Sequence, residues 1–560
     1  MRISTPSGSL ITLSSAQFVA AGGEAEVYAV GKEAYKIYGS PDKAIDPSKI
    51  DALSGIGHDR VLVPTGVVRD PKTAATVGIA MPYLADARPL ASYTTRPTWL
   101  RNRLNAARRF GWVNQLRELV AAVHAVGIQI VDLNPMNVLV DRDLQSLFLI
   151  DTDSFQTPQH PATALVESVR DRHAPPNVFS EETDWFAFAV VSFQLMMGIH
   201  PYRGHHPSLK TLDARMQGNV SVFHSDVTVP HVCESFDVLP YAWRQWFFEV
   251  FEEGQRSAPP EHSTYAVIPV ITRAQPTSLS LTFQAVERFE TPIYALAEFD
   301  GARVVYTENG VFLNRRRVLD SLPGQVVIGQ ACVGHPVLVH LHRGQCEWVD
   351  LVQRRTTRLS LDVDALSVCD GRVHLKVGGA VMELQFFRTP DGFRAVPKRL
   401  CQVHALNGQL FDGVAIQSLL GSTYVSLFTG RGRAAQQRVK ALDGKRIVNA
   451  CFGRGVLFVL TAGSDGLKKW VFRARGESAL SGDCIGEAVS LNWTVLDGGV
   501  VVDWMDDGVL RLFSSEPHST ACREVADPAL HAPGVLVSLA GGLAMIRDGT
   551  LYRLTMKTAA

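Results

Sequence analysis

From about Pro269 onward, the chain repeats one short unit: a turn, an apolar strand, a glycine-containing turn and a second strand. It recurs as FDGARVVYTENGVF from Phe299, CDGRVHLKVGGAVMEL from Cys369, GRGVLFVLTAGSDGLKKWVF from Gly453, LDGGVVVDWMDDGVLRLF from Leu496 and LAGGLAMIRDGTLYRL from Leu539. The spacing is about 40 residues or twice that, which with several strands per unit is a propeller signature. A stretch of about 285 residues holds six or seven such blades. The last unit is one strand short. SLSLTFQAVERF, from Ser278, can supply that strand and close the ring. The WD dipeptide of one common blade type is missing, so the blade type is unassigned. A pair of β-sandwiches or a β-solenoid is the competing architecture.

The first half has a different character. FVAAGGEAEVYAVG and EAYKIYG read as short strands around a glycine turn. LNAARRFGWVNQLRELVAAVHAVG places Leu116, Leu119, Val120, Val123 and Val126 at helical spacing. TDWFAFAVVSFQLMMG is apolar nearly all round, as a helix buried on every side would be. YAWRQWFFEVFEEG is a further helix, expected to stop at Gly254. At 560 residues with a formal net charge of zero, the chain has length for several domains and no bulk attraction to nucleic acid or to an anionic membrane. No run of about 18 apolar residues predicts a membrane span, and the N-terminus does not read as a signal peptide. The eight cysteines are scattered without a C-x-x-C pair, which argues for free thiols in a reducing compartment, by default the cytoplasm. In HPVLVHLH the histidines alternate as in a strand, and no ligand spacing ties them to Cys346.

Chemistry concentrates in IVDLNPMNVLVDRDLQSLFLIDTDSFQ, Ile130 to Gln156. Asp132, Asn137 and Asp151 stand at intervals between strand-like runs, VLV and LFLI. Phosphoryl transfer needs a positioned nucleotide, a shared metal and a carboxylate near the attacking hydroxyl. Magnesium takes oxygen ligands, one or two of them from protein. Asp132 suits the carboxylate, and Asn137 and Asp151 suit the metal. Alone, D-x-x-x-x-N is equally a turn before a strand.

The neighbours add a resemblance. AAGGEAEVYAV, AYKIY, IAMPYL, VHAVGIQIVDLNPMNVLV, LIDTDSF and ETDWFAFAVVSFQLMMGIHPYRG occur in the order of the glycine loop, lysine strand, hinge, catalytic loop, metal segment and buried helix of protein kinases. Residues from about 17 to 270 resemble a divergent bacterial group of eukaryotic-type serine/threonine protein kinases, with a GGEG-type loop and an IDTDSFQ-type metal motif. The resemblance implies a multi-domain chain. Its α+β bilobal kinase-like fold would occupy 1–270, with a small lobe to about 84 and a large lobe from about 85, followed by an all-β propeller at 276–560. It implies ATP with magnesium, or manganese in its place, and transfer of the γ-phosphate to protein hydroxyls. Gly22 and Gly23 would bring amides to the phosphates, and Lys36 would neutralise them. Val27, Met81, Tyr83 and Leu84 would line the adenine site. Asp132 would be the catalytic acid/base, with Lys36 as its essential companion. Asn137 and Asp151 would hold metal, and Asp184 would prop the catalytic loop through its amides. Asp51 is the candidate carboxylate partner of Lys36; a plain exposed helix aspartate is the other reading.

Several positions depart from the family pattern. Ile130 and Val131 stand where His-Arg is usual, which removes the usual partner of an activation-loop phosphate. Asn134 replaces a lysine, and its amide can bond the γ-phosphate without bringing charge. Asp153 replaces the DFG glycine, leaving metal ligation and turn capping both open. Ala20 and Ala25 stand at usual glycines, and the APE-like segment reads Ala174-Pro175-Pro176-Asn177. Two other functions therefore stand beside the active kinase: a pseudokinase scaffold that binds nucleotide and partners, and a small-molecule phosphotransferase of the aminoglycoside-kinase kind. The resemblance also brings in protein substrates and, as partners, von Willebrand A-domain proteins and metal-dependent protein phosphatases.

Overall fold

The repeated unit of the second half folds as seven four-stranded antiparallel sheets among the described residues. The structure, a computed structural model, describes residues 1–22, 25–40, 43–163, 165–261, 265, 278–463, 466–475, 479–516, 519, 521–540 and 542–557. The chain is multi-domain and mostly β, and the seven sheets fit a β-propeller. Six sheets run in sequence, from Ile293–Phe299 through Cys522–Ala526. The seventh joins Val535–Leu539, Gly542–Arg547 and Thr550–Met556 to the strand Leu281–Arg288, which pairs antiparallel with Thr550–Met556. The strand expected near Ser278 thus supplies the missing edge and ties the two ends of this half together.

Local chemistry explains the regularity. Asp300-Gly301, Asp370-Gly371 and Asp548-Gly549 all have positive φ at both residues, from 38° to 86°. That is the two-residue hairpin turn whose twist matches its strands, and Asp-Gly adopts it at low cost. Neighbouring sheets then share cores: Val339 and Trp348 of one pack with Val373, Leu375 and Leu384 of the next. His340 and His374 lie buried in these strands, as the alternation predicts for strand residues.

The first half begins with a seven-stranded sheet. Its order is Leu10–Thr12, Arg2–Ser4, Gly66–Arg69, Thr76–Pro82, Glu33–Tyr38, Ala25–Val30, Phe18–Ala21. In its register Lys36 faces Val27 on one side and Ile79 on the other, and Ala34 faces Met81. One face therefore carries Val27, Lys36, Ile79 and Met81. The opposite face buries Tyr28, Tyr35, Ile37, Val68 and Ala80. Below the first face lies a helical region. The helix Ala106–His124 buries Leu116, Leu119, Val120 and Val123 against Glu181–Met197, whereas Val126 falls beyond its end and is exposed. Glu181–Met197 is buried round its whole circumference from Asp184 on, as its composition predicts. The last helix, Tyr241–Phe251, ends ahead of Gly254. No helix among the described residues is long and apolar enough to cross a membrane.

The two halves pack on each other. Helix Arg96–Asn102 lies against the strands Ile293–Phe299 and Gln325–Cys332. Arg101 pairs with Asp412, and Arg103 reaches Ser321 Oγ at 2.8 Å and the Leu322 carbonyl. Arg203 meets Glu487 at 3.0 Å, and the rings of His231 and Trp504 stack. Such contacts between segments hundreds of residues apart leave no trace in a local pattern.

Candidate active site

Strand alternation sends Lys36 down from the first sheet, and two carboxylates meet it. Its Nζ donates to Asp151 Oδ1 at 2.5 Å and to both oxygens of Asp153 at 2.9 Å. Tyr38, two residues along the strand and so on the same face, donates its hydroxyl to Asp153 Oδ2 at 3.0 Å. Burial works against the lysine's charge, but Asp153 and Asp151 outweigh it and hold its pKa above the usual value. Asp51 is not the partner: its side chain is exposed on the helix Pro47–Ser54. That helix instead turns Lys49 inward, where Nζ donates to the Asp153 carbonyl at 2.8 Å. Burial lowers the Lys49 pKa, and the nearby charge of Lys36 adds to the effect while Asp153 opposes it. Lys49 and Tyr38 were not apparent in the sequence. The helix length and its inward face were the available signal for Lys49.

Asp151 reaches this position through a left-handed backbone, φ 62°, immediately after the strand Leu147–Leu149. A non-glycine residue holds that conformation when its surroundings fix it. Here Ser154 donates both its N–H (3.0 Å) and its hydroxyl (2.7 Å) to the Asp151 carbonyl.

Asp132 sits in a second strained segment. Val131, β-branched, has φ 65°. Asp184, fully buried, holds it by accepting from Ile130 N at 2.7 Å and Val131 N at 2.8 Å, with His124 Nε2 2.9 Å away. The carboxylate of Asp132 is 5% exposed and takes two bonds: Asn137 Nδ2 donates to Oδ2 at 3.0 Å, and Val166 N donates to Oδ1 at 2.7 Å. Burial raises the Asp132 pKa, helped by the charge of Asp151, while the donated bonds from Val166 and Asn137 counter it. Asn134 is 4% exposed, accepts from Met136 N at 2.8 Å and donates to the Asp132 carbonyl at 3.2 Å, so it holds the loop's shape.

Asn137 and Asp151 flank adjoining strands, Asn137 just before Val138–Val140 and Asp151 just after Leu147–Leu149, with Ile150 N donating to the Asn137 carbonyl at 3.0 Å. Neither the Asn137 amide oxygen nor Asp151 Oδ2 takes a hydrogen bond among the described residues, which leaves two oxygen donors free. Asp153, 9% exposed, is committed to Lys36 and Tyr38. Gly22 forms the reversal between the strands Phe18–Ala21 and Ala25–Val30, its N–H donating to the Ala25 carbonyl at 2.8 Å. Gly23 lies outside the described residues. Val27 and Met81 share the Lys36 face, and the half-buried Tyr83 and Leu84 follow the end of the Met81 strand.

Elsewhere His206, His224 and Asp226 bring ligand atoms within 4.8 Å of one another. Backbone amides donate to Nδ1 of both rings, which leaves the ring proton on Nε2 and argues against metal there.

No family model and no curated protein matches the sequence. Many solved chains match it in structure; one is Kluyveromyces lactis Hsv2, 12% identical, with a TM-score of 0.32 over 48% of this chain and 98% of that chain. A likeness that slight carries nothing about the chemistry of Lys36 and Asp132.

Proposed function

We propose that residues 1–270 are a protein-kinase-like domain that transfers the γ-phosphate of ATP to serine or threonine hydroxyls of a protein, with the β-sheet half recruiting partners or substrate. One observation carries this reading: Lys36 and Asp151, 115 residues apart, meet as an ion pair, in the chain segment that also carries Asp132 and Asn137. Phosphoryl transfer asks a protein for this set and little else: a cation for phosphates, carboxylate and amide oxygens for metal, and a carboxylate for the nucleophile.

The donor set suits magnesium. Asp151 and Asp153 already converge on one cation, the Lys36 ammonium, and the free oxygens of Asn137 and Asp151 are hard ligands. When bound, the metal would neutralise phosphate charge. Asn137 and Asp151 would hold it, with Asp153 joining if Lys36 turns to the phosphates. Asp132 would orient the attacking hydroxyl and take its proton.

A second reading, the nucleotide-binding pseudokinase scaffold, is favoured by the bond from Val166 N to Asp132 and by the burial of that carboxylate. Incubation with labelled ATP and magnesium separates them. Label on the chain or on a generic protein substrate, lost in Asp132→Asn and Lys36→Ala, is expected for the kinase. Nucleotide binding without transfer would select the scaffold. Transfer only to a small hydroxylated compound would overturn both.

A further inference from the structure

In the β-sheet half, the first strands of successive sheets touch one another, which leaves the fourth strands on the outside. Four consecutive outer strands are Arg316–Leu319, Arg355–Leu359, Gly392–Gln402 and Arg433–Arg438, reading RRVL, RTTRL, GFRAVPKRLCQ and RAAQQR. Every lysine and arginine on them is exposed, and the four strands carry no acidic residue. The other three outer strands differ: Ala479–Glu487 has two acids and no cation, and Cys522–Ala526 and Leu281–Arg288 carry one of each. Charge on an edge strand guards it against pairing with another chain. Either sign serves that purpose, so one sign over four adjacent sheets asks for a further reason.

Arg355–Leu359 is the most open of the four. Residues 352–358 are all exposed, and no backbone hydrogen bond from another segment reaches the outer edge of this strand among the described residues. The acids across the ladder from Arg355 and Arg358 are engaged elsewhere, Asp350 with His335 at 2.9 Å and Glu347 with His340 at 3.1 Å. Arg355 and Arg358 therefore make no ion pair or hydrogen bond among the described residues, whereas Arg317 and Arg438 hold Asp320 and Asp443. An open groove lined by Gly344, Gln345, Leu359 and Asp362 continues from the end of the strand to Arg142 of the first half, 3.7 Å from Asp362.

Free ladder groups flanked by unpaired guanidinium groups suit an extended protein segment rich in aspartate and glutamate. Its main chain can pair as a fifth strand while its carboxylates meet the arginine forks. Nucleic acid and membrane surfaces have no use for ladder groups, and residues 352–358 offer no aromatic ring on which a base could stack. We propose that the outer edge of Arg355–Leu359 docks an acidic, extended segment of a partner protein. This rests on the recruiting role proposed for the β-sheet half and is independent of phosphoryl transfer.

Fluorescence anisotropy of the full chain with a labelled peptide alternating glutamate and valine, in the absence of ATP, tests it. The double variant Arg355→Glu, Arg358→Glu is compared with wild type and with the distant control Arg523→Glu, all three positions being exposed. Two attractions turned into two repulsions predict about a tenfold loss of affinity in the double variant. The control should bind as wild type does. A proline at the centre of the peptide removes a ladder donor and should weaken binding. Equal affinity of wild type and double variant would overturn the inference, as would a wild type that binds no peptide. Undiminished binding of the proline peptide would also defeat it, because charge alone would then hold the segment. Tighter binding of single-stranded RNA or of phosphatidylserine vesicles, lost in the same double variant, would replace it with a polyphosphate or membrane partner. Each of these failures leaves the kinase-like reading of the first half untouched.

Discussion

The backbone N–H of Val166 donates to Asp132 Oδ1 at 2.7 Å, so a main-chain group occupies one oxygen of that buried carboxylate. Oδ2 is held by Asn137 as well. On the kinase reading, this closed arrangement restrains transfer until the segment around Val166 moves. Val166 has φ −91° and ψ 125°, close to what proline adopts, so Val166→Pro deletes the donor with little backbone change. Transfer from ATP should rise about tenfold, the scale of one hydrogen bond to a charged group. Because that N–H also lowers the Asp132 pKa, the acidic limb of the rate profile should move to higher pH. Initial rates across pH check both. An unchanged rate in a folded variant would show that Val166 does not gate Asp132.

Asp184 accepts two backbone amides, from Ile130 and Val131, at a point where both residues are buried and Val131 is strained. Asp184→Ala leaves two buried donors unpaired, each worth about 1–3 kcal/mol, for a total of about 2–6 kcal/mol. The helical region should melt well below the wild type by calorimetry, and nucleotide binding should weaken with it. A melting point within a degree of wild type would refute the propping role.

What the sequence made legible follows from range. Asp-Gly pairs with positive φ are local, so the seven sheets and the strand at Leu281–Arg288 that joins the last of them were readable from turn chemistry and period. The face carrying Lys36 was readable too, because alternation between Tyr35 and Ile37 fixes it. The partner of Lys36 was not. Asp51 lies 15 positions away and Asp151 lies 115, and only the packing of sheet on helical region selects the second. Lys49 and the Val166 bond to Asp132 belong to the same class. Each joins segments whose separation carries no periodic signal.

Asp506 faces Lys469, Asp503 and Arg203, with Val489 N donating to Oδ2 at 2.8 Å. Burial pushes its carboxyl up to about 6 against an ordinary value near 3.8. A folded pKa above the unfolded one means that the folded state holds the proton more tightly. The stabilisation is complete below about pH 4 and is lost as pH rises through about 6, to an extent of at most ~3 kcal/mol. Asp506→Asn should remove that part of the pH dependence. The difference in melting temperature between variant and wild type should therefore grow in favour of the variant from pH 4 to pH 7. A constant difference would mean that Asp506 stays ionised.

His231 and Trp504 join the two halves as parallel plates, with ring centroids 4.0 Å apart and 2° between planes. Burial holds the His231 pKa well below 6.5, so the ring stacks as a neutral, largely apolar group. Its depressed folded pKa gives the opposite sign to Asp506: the contribution is present above about pH 6.5 and is lost as pH falls below it. His231→Ala removes one plate from beside the buried Trp504 and should cost about 2–3 kcal/mol. His231→Phe keeps an aromatic plate and removes the titrating ring. Calorimetry at pH 7 and pH 5 tells them apart. The alanine variant should melt earlier at both values, and the phenylalanine variant should lose less on acidification than wild type. If the phenylalanine variant loses as much as wild type, the acid sensitivity of this seam comes from a group other than His231.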